Sequence, residues 1–213
     1  PWKKIKNCLP STDSAKIFAE FDNLNVTKFQ GLQTVFDGHF EDLTPFVQKM
    51  RLIKSQDEID KMIVAGQFAD KAVKVGFDNI SLNNTETDII AMIEFEMKKQ
   101  GVEKMSFDTM VLTGNNAANP HGIPGTNKIE NNALLLFDLG TDMYGYASDM
   151  TRTVAVGKPD QFKKDIYNLC LEAHMSALEF IKPGVLASEV DEAARKVIEK
   201  AGYGEYFNHR LGH

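Results

Sequence analysis

Apolar residues recur at helical spacing along four stretches of this chain, and short apolar or alternating runs lie between them. From Ser55 onward Ile59, Met62, Ile63, Phe68, Ala69, Ala72 and Val73 keep to one helical face, which predicts an amphipathic helix stopped by Gly76. Ser55 followed by Glu58 forms a capping box at its start. A second helix is predicted from Asn84 or Thr85, carrying Ile89, Ile90, Ile93, Phe95 and Met97 until Gly101. Asp160 opens a third, bearing Phe162, Ile166, Leu169, Ala173, Ala177 and Ile181 and stopped by Pro183-Gly184. Ser188 opens a fourth, with Val190, Ala193, Ala194, Val197 and Ile198, stopped by Gly202.

The runs between these helices favour strands. Met110 to Thr113 reads as a strand, followed by a loop rich in Asn, Gly and Pro from Gly114 to Gly125. Leu134 to Phe137 is continuously apolar and suits a buried strand. Gly140 to Gly145 supply turn chemistry, and Tyr144 to Val156 continue as β-favouring residues, which predicts a hairpin. Upstream, Lys16 to Glu20 suits a short strand, Val26 to Phe36 a helix, and Leu43-Thr-Pro45 the start of another helix. Tyr206 to His213 reads as extended. The plan is helix, helix, strands, and then helix, helix, strand. This suggests an internal duplication whose second copy is cut short, in an α/β (α+β) architecture with helices covering a curved antiparallel sheet. A domain boundary is expected near Arg51, separating 1–50 from 51–213.

Composition narrows the classes. The 213 residues carry a formal net charge of -6, with 43% hydrophobic and 25% charged residues, an ordinary globular balance. An acidic chain is poorly suited to nucleic acid, whose phosphates need a basic surface. No apolar run approaches the ~20 residues of a membrane span, and no apolar core follows Pro1-Trp-Lys-Lys to make a secretory signal. Cys8 and Cys170 stand in unrelated contexts, so no disulfide framework is expected and a reducing cytoplasm is the default compartment. A start at Pro1 and a stop at a Gly-His step read as a fragment of a longer protein.

Candidate chemistry centres on Asp138 and Asp149, eleven positions apart across the predicted hairpin. Burying two carboxylates side by side is costly unless they share a cation. The other reading is a pair of strand-end residues making local surface hydrogen bonds, and spacing alone leaves both open. His209 and His213 are four apart and share one face of an extended segment, or else stand solvated. His121, between Pro120 and Gly122, is either a surface loop residue or a donor held over the hairpin. Two aspartates and a late histidine suit a hard or borderline divalent ion such as Mn, Co or Zn. His39 has no context that implies chemistry, and His174 reads as structural. The chain has neither a Gly-x-Ser-x-Gly elbow nor a phosphate-cradling Gly-x-x-x-x-Gly-Lys-Ser/Thr loop.

Asn119-Pro-His121, Asp138-Leu-Gly140, Ser148-Asp-Met-Thr-Arg-Thr153 and His209-Arg-Leu-Gly-His213, in this order, resemble the pita-bread metallopeptidases. That group contains methionine aminopeptidase, aminopeptidase P and prolidase. The resemblance covers about Arg51 to His213, and the ending is most similar to bacterial Xaa-Pro dipeptidases. It implies that 1–50 is the remnant of a creatinase-like N-terminal domain and 51–213 a partial pita-bread catalytic domain. It implies Asp138 as a ligand of one metal, Asp149 as a bridging ligand and His213 as a ligand of the other. His121 and His209 would be substrate-side catalytic donors, and Thr151, Arg152 and Thr153 would orient Asp149. Two divalent ions are implied, Mn first, with Co or Zn as alternatives. The substrate would be a short proline-containing peptide, and the full-length protein a cytoplasmic homodimer.

The family also uses two glutamates and a further histidine downstream of the Gly-His step, outside these 213 residues. The fragment alone is therefore expected to bind metal weakly and not to turn over. Two other functions fit the resemblance: an aminopeptidase P acting on longer peptides, and a non-catalytic pita-bread binding module. The retained Asp138, Asp149 and His213 weigh against the module.

Overall fold

A computed structural model describes residues 16–36 and 38–212, together with Lys4 and Asn7. The chain divides into two compact units, residues 1–60 and 61–213. In the first, β1 (Lys16–Ala19) and β2 (His39–Asp42) pair in parallel, with Lys16 opposite His39. The crossover between them contains α1 (Val26–Gln33), capped by Asn25, whose side chain accepts from Lys28 N–H. Phe29 on α1 meets Phe21 and Phe40 edge-on, with centroids 5.4 and 5.2 Å apart. The strand β2 gave no sequence signal, because His-Phe-Glu-Asp neither alternates nor favours strands. α2 (Thr44–Leu52) follows, with Pro45 in its first turn.

The long helix α3 (Gln56–Asp78) opens with the expected capping box: Glu58 Oε2 accepts from Ser55 N–H at 2.7 Å, and Ser55 Oγ accepts from Glu58 N–H at 3.4 Å. Gly76 does not stop it. The helix runs two residues further, and Gly76 instead lets it approach the sheet. A Cβ at that position would lie 2.6 Å from the Phe137 ring. Ala65, Ala69, Ala72 and Val73 line the same buried face. α4 (Glu86–Lys99) is boxed by Thr85 and Asp88 and buries Ile89, Ile93 and Met97 completely. Phe95 breaks the expected pattern: it is 69% exposed.

These two helices cover one side of an antiparallel sheet of β4 (Met110–Thr113), β5 (Ala133–Leu139) and β8 (Met150–Val156), ordered β4-β5-β8. Along β5, Ala133, Leu135, Phe137 and Leu139 are buried, and the residues between them are partly covered. The apolar run is thus sheltered on both faces, more fully on the helix side. Val111, Leu135, Phe137 and Leu139 join the helix residues in one core, with Phe77 edge-on to Phe137 at 5.2 Å.

The predicted simple hairpin is replaced by an excursion. After Leu139 the chain forms β6 (Thr141–Met143), turns at Tyr144 and Gly145 with φ of 57° and 78°, and returns as β7 (Tyr146–Ala147). Two successive positive φ values are the geometry of a two-residue hairpin turn. β6 and β7 form a second sheet with β3 (Lys104–Met105), ordered β3-β6-β7. Only then does the chain rejoin β5 through β8.

α5 (Gln161–Phe180) starts at the predicted cap, where Asp160 Oδ1 accepts from Lys163 N–H at 2.9 Å. α6 (Ala187–Lys200) begins one residue before Ser188, and Glu189 Oε2 reaches back to Leu186 N–H at 2.8 Å. The two helices pack through Ala173, Ala177 and Ala194. No strand forms over 206–212: a 3-10 turn at Gly204–Tyr206 leads into irregular chain. His213 lies outside the described residues.

Candidate metal centre

Asp138 occupies the β5 face opposite the helices, across from Met110 on β4 and Thr151 on β8. Thr151 Oγ1 donates to Asp138 Oδ1 at 2.9 Å. The resemblance implies that Thr151 orients Asp149; the structure shows its hydroxyl on Asp138. Burial pushes the Asp138 carboxyl above its ordinary value of 3.8; the Thr151 hydrogen bond opposes this, and the nearby charge of Asp149 adds to it. The charge of Asp149 thus reaches Asp138, although a stretch of ten residues, 139–148, separates them.

That stretch is the β6-β7 excursion, and its base is tightly tied. Thr141 N–H donates to Ser148 Oγ at 2.9 Å, and Ser148 N–H donates to Thr141 C=O at 2.9 Å. Ser106 Oγ donates to Ser148 C=O at 2.7 Å, and Ser106 N–H donates to Gly140 C=O at 3.0 Å. Thr141 Oγ1 donates to Ala65 C=O at 2.8 Å, anchoring the knot to α3. Gly140 sits where no side chain fits: a Cβ there would lie 1.9 Å from Ser148 C=O. The knot fixes the points where the chain leaves the sheet after Asp138 and rejoins it after Asp149.

His121 lies in the loop after the 3-10 turn Gly114–Ala118, exposed, with its N–H donating to Asn119 Oδ1 at 3.2 Å. The next residue, Gly122, packs so closely on Leu112 that a Cβ would meet its Cδ1 at 2.8 Å. Leu112 pairs with Leu136, two residues along β5 from Asp138 and so on the same face. The His121 loop thus lies against the aspartate-bearing face.

His209 is placed by α6 rather than by a strand. Arg195 donates to Phe207 C=O at 2.8 Å and to His209 C=O at 3.1 Å, with its guanidinium 4.6 Å from the Phe207 ring centroid. Asp191 Oδ1 accepts from Leu211 N–H at 2.7 Å, and this bond with the Arg195 contact holds the Asp191 carboxyl below its ordinary range. His209 Nδ1 lies 2.6 Å from Arg210 C=O, and the ring lines a cleft with Ser188, Asp191 and Leu211.

Among the described residues no group of three or more His, Cys, Asp or Glu side chains forms a metal cage. Asp138 lies on the sheet face that the His121 loop covers, and Asp149 is near enough for its charge to add to the rise of the Asp138 carboxyl. Two mutually repelling oxygen donors suit a hard or borderline divalent cation, which would relieve both the burial cost and the repulsion. Glu86, the Ser106–Thr141–Ser148 knot and the Asp191–Arg195 clasp gave no sequence signal, since their residue types are those of ordinary caps, turns and helix-surface ion pairs.

Residues 60–213 match metallopeptidase family M24. An uncharacterized peptidase of Staphylococcus epidermidis is 44% identical over 200 residues, covering 93% of this chain and 57% of that protein. The chain therefore spans little more than half the length of such relatives. Among solved structures, the prolidase from Pyrococcus horikoshii OT3 superposes with a TM-score of 0.92 at 36% identity, covering 100% of this chain and 61% of that one. An Xaa-Pro dipeptidase from Bacillus anthracis gives 0.89 at 37% identity, covering 93% and 56%. The X-Pro aminopeptidase from Thermotoga maritima MSB8 gives 0.85 at 30%, covering 96% and 57%. The architecture is thus the pita-bread arrangement of these prolidases, and the chain belongs to metallopeptidase family M24.

Proposed function

We propose that the whole protein is a dinuclear-metal hydrolase that cleaves Xaa-Pro dipeptides. The observation that supports this reading is Asp138 on the sheet face against which the His121 loop packs, with Thr151 Oγ1 on its carboxylate and Asp149 one residue before β8. In this reading Asp138, Asp149 and His213 would hold two divalent ions, with Mn as the first choice. Bound ions would supply Lewis acidity and a water whose pKa falls to about 7. Thr151 keeps the Asp138 carboxylate in one orientation through its hydrogen bond. His121 and His209 stand as donors to the peptide carbonyl oxygen, where negative charge develops. A prolyl nitrogen has no N–H to recognise, so the site must hold the two ends of a short peptide.

Residues 1–50 are read as the remnant of a creatinase-like domain and 51–213 as catalytic. Among the described residues no helix is long and apolar enough to cross a membrane, and we place the protein in the cytoplasm as a homodimer. A second reading, an aminopeptidase P taking longer peptides, draws support from the likeness to the X-Pro aminopeptidase of Thermotoga maritima MSB8, which is weaker than the likeness to the prolidases. Rates on Gly-Pro against Gly-Pro-Ala, measured with the full-length protein and Mn2+, separate the two. The dipeptide should be cleaved at least about tenfold faster in kcat/KM, the equivalent of ~1.4 kcal/mol, and a preference for the tripeptide would overturn the dipeptidase assignment.

A further inference from the structure

Glu86 is the first residue of α4, yet its side chain is fully buried. It is not needed as a cap, because Thr85 and Asp88 already exchange hydrogen bonds across that helix start. Its oxygens face the other way. Oε1 accepts from Thr113 N–H at 2.8 Å and Asn116 Nδ2 at 3.0 Å. Oε2 accepts from Asn116 Nδ2 at 3.1 Å, Gly125 N–H at 2.9 Å and Asn127 Nδ2 at 3.2 Å. Every partner is a donor, as an acceptor-only carboxylate requires, and a buried carboxylate is tolerated only when satisfied in this way.

All these partners belong to one segment, 113–127, at whose middle His121 lies. Asn116 carries the tie inward: the same Nδ2 donates to Ile123 C=O at 3.2 Å, closing the loop around His121. Gly122 then rests on Leu112 and on Asn116 C=O, at Cβ distances of 2.8 and 2.9 Å. The far end is stitched to the same helix start, where Glu86 N–H donates to Asn127 C=O at 3.0 Å and Thr87 N–H to Gly125 C=O at 3.2 Å.

We propose that Glu86 is the positioning residue of the His121 loop, fixing that imidazole beside the face that carries Asp138. The proposal rests on the reading of His121 as a substrate-side donor. Glu86→Gln would put an amide NH2 among N–H donors, and Asn116→Ala would cut the link from the carboxylate to Ile123 while leaving Thr113 N–H, Gly125 N–H and Asn127 Nδ2 on Glu86. Two measurements on the full 213-residue chain test this: hydrogen exchange by segment, and Mn2+ paramagnetic broadening of the His121 ring and Thr151 methyl signals.

In both variants exchange over 113–127 should quicken by at least about tenfold, while β5 and β8 keep their protection. Broadening at His121 should weaken relative to Thr151, which a merely structural role would not produce. Unchanged exchange over 113–127 in Asn116→Ala, a loss spread equally over β5 and β8, or His121 broadening that tracks Thr151 would overturn the proposal. If Mn2+ broadens neither signal in the unsubstituted chain, the metal reading falls separately. The His121 ring shift then decides: a change in both variants supports Glu86, and no change overturns it.

Discussion

Asp138 is pulled in two directions. Burial and the charge of Asp149 raise its carboxyl above 3.8, while the Thr151 hydroxyl favours the charged form. A carboxyl raised on folding contributes its full stability below that ordinary value, and the contribution is lost as pH rises through the higher folded value. At neutral pH without metal, Asp138 is therefore a net liability. Asp138→Asn should melt higher than the unsubstituted chain at pH 7 in EDTA, with the gain vanishing as pH drops below 3.8, and should lose the rise in melting temperature that Mn2+ gives. Scanning calorimetry over pH, with and without Mn2+, checks both halves. The residue types of this pair could be read from the sequence. That Thr151 serves Asp138, and that Glu86 is buried, could not: a glutamate opening an amphipathic helix reads as a cap, and nothing local reveals what lies over it.

At the scale of elements, the helices followed from their apolar spacing and capping residues, because those signals are local. The connection between the aspartates did not. Gly140 and the Tyr144-Gly145 turn read as one hairpin, whereas the chain builds a second small sheet before returning to β5. The cause is a set of non-local bonds from Ser106 and to Ala65 that no short window contains. Gly140→Ala should therefore destabilise the fold by about 1–3 kcal/mol and weaken Mn2+ binding with it, measurable by denaturant unfolding with a parallel metal titration. The segment expected as a strand at 206–213 fails to form one over its described part, because Arg195 and Asp191 bind its backbone groups instead. Arg195→Ala should speed proteolysis and amide exchange over 207–211, with the melting temperature of the sheet core left within a degree or two. Equal protection in both proteins would show that the clasp does not hold this segment.

At the scale of the molecule, one core joins α3 and α4 to the sheet through Phe137, Ile93 and the close approach at Gly76. Phe137→Ala should cost about 3–5 kcal/mol, and the neighbouring Asp138 should lose its fixed orientation with it. The fold class was open to sequence reading because the order of helices and strands is itself the pattern of the family. The grouping of donors was less so, since it depends on which face of β5 each loop covers. The most direct measurement is a calorimetric Mn2+ titration of the 213-residue chain at pH 7, compared with Asp138→Asn, Asp149→Asn and the helix-surface substitution Asp165→Asn. Weak but saturable binding, reduced at least about tenfold by either of the first two changes (~1.4 kcal/mol) and untouched by the third, is the expected result. Equal affinity in all four proteins would show that Asp138 and Asp149 do not share a cation.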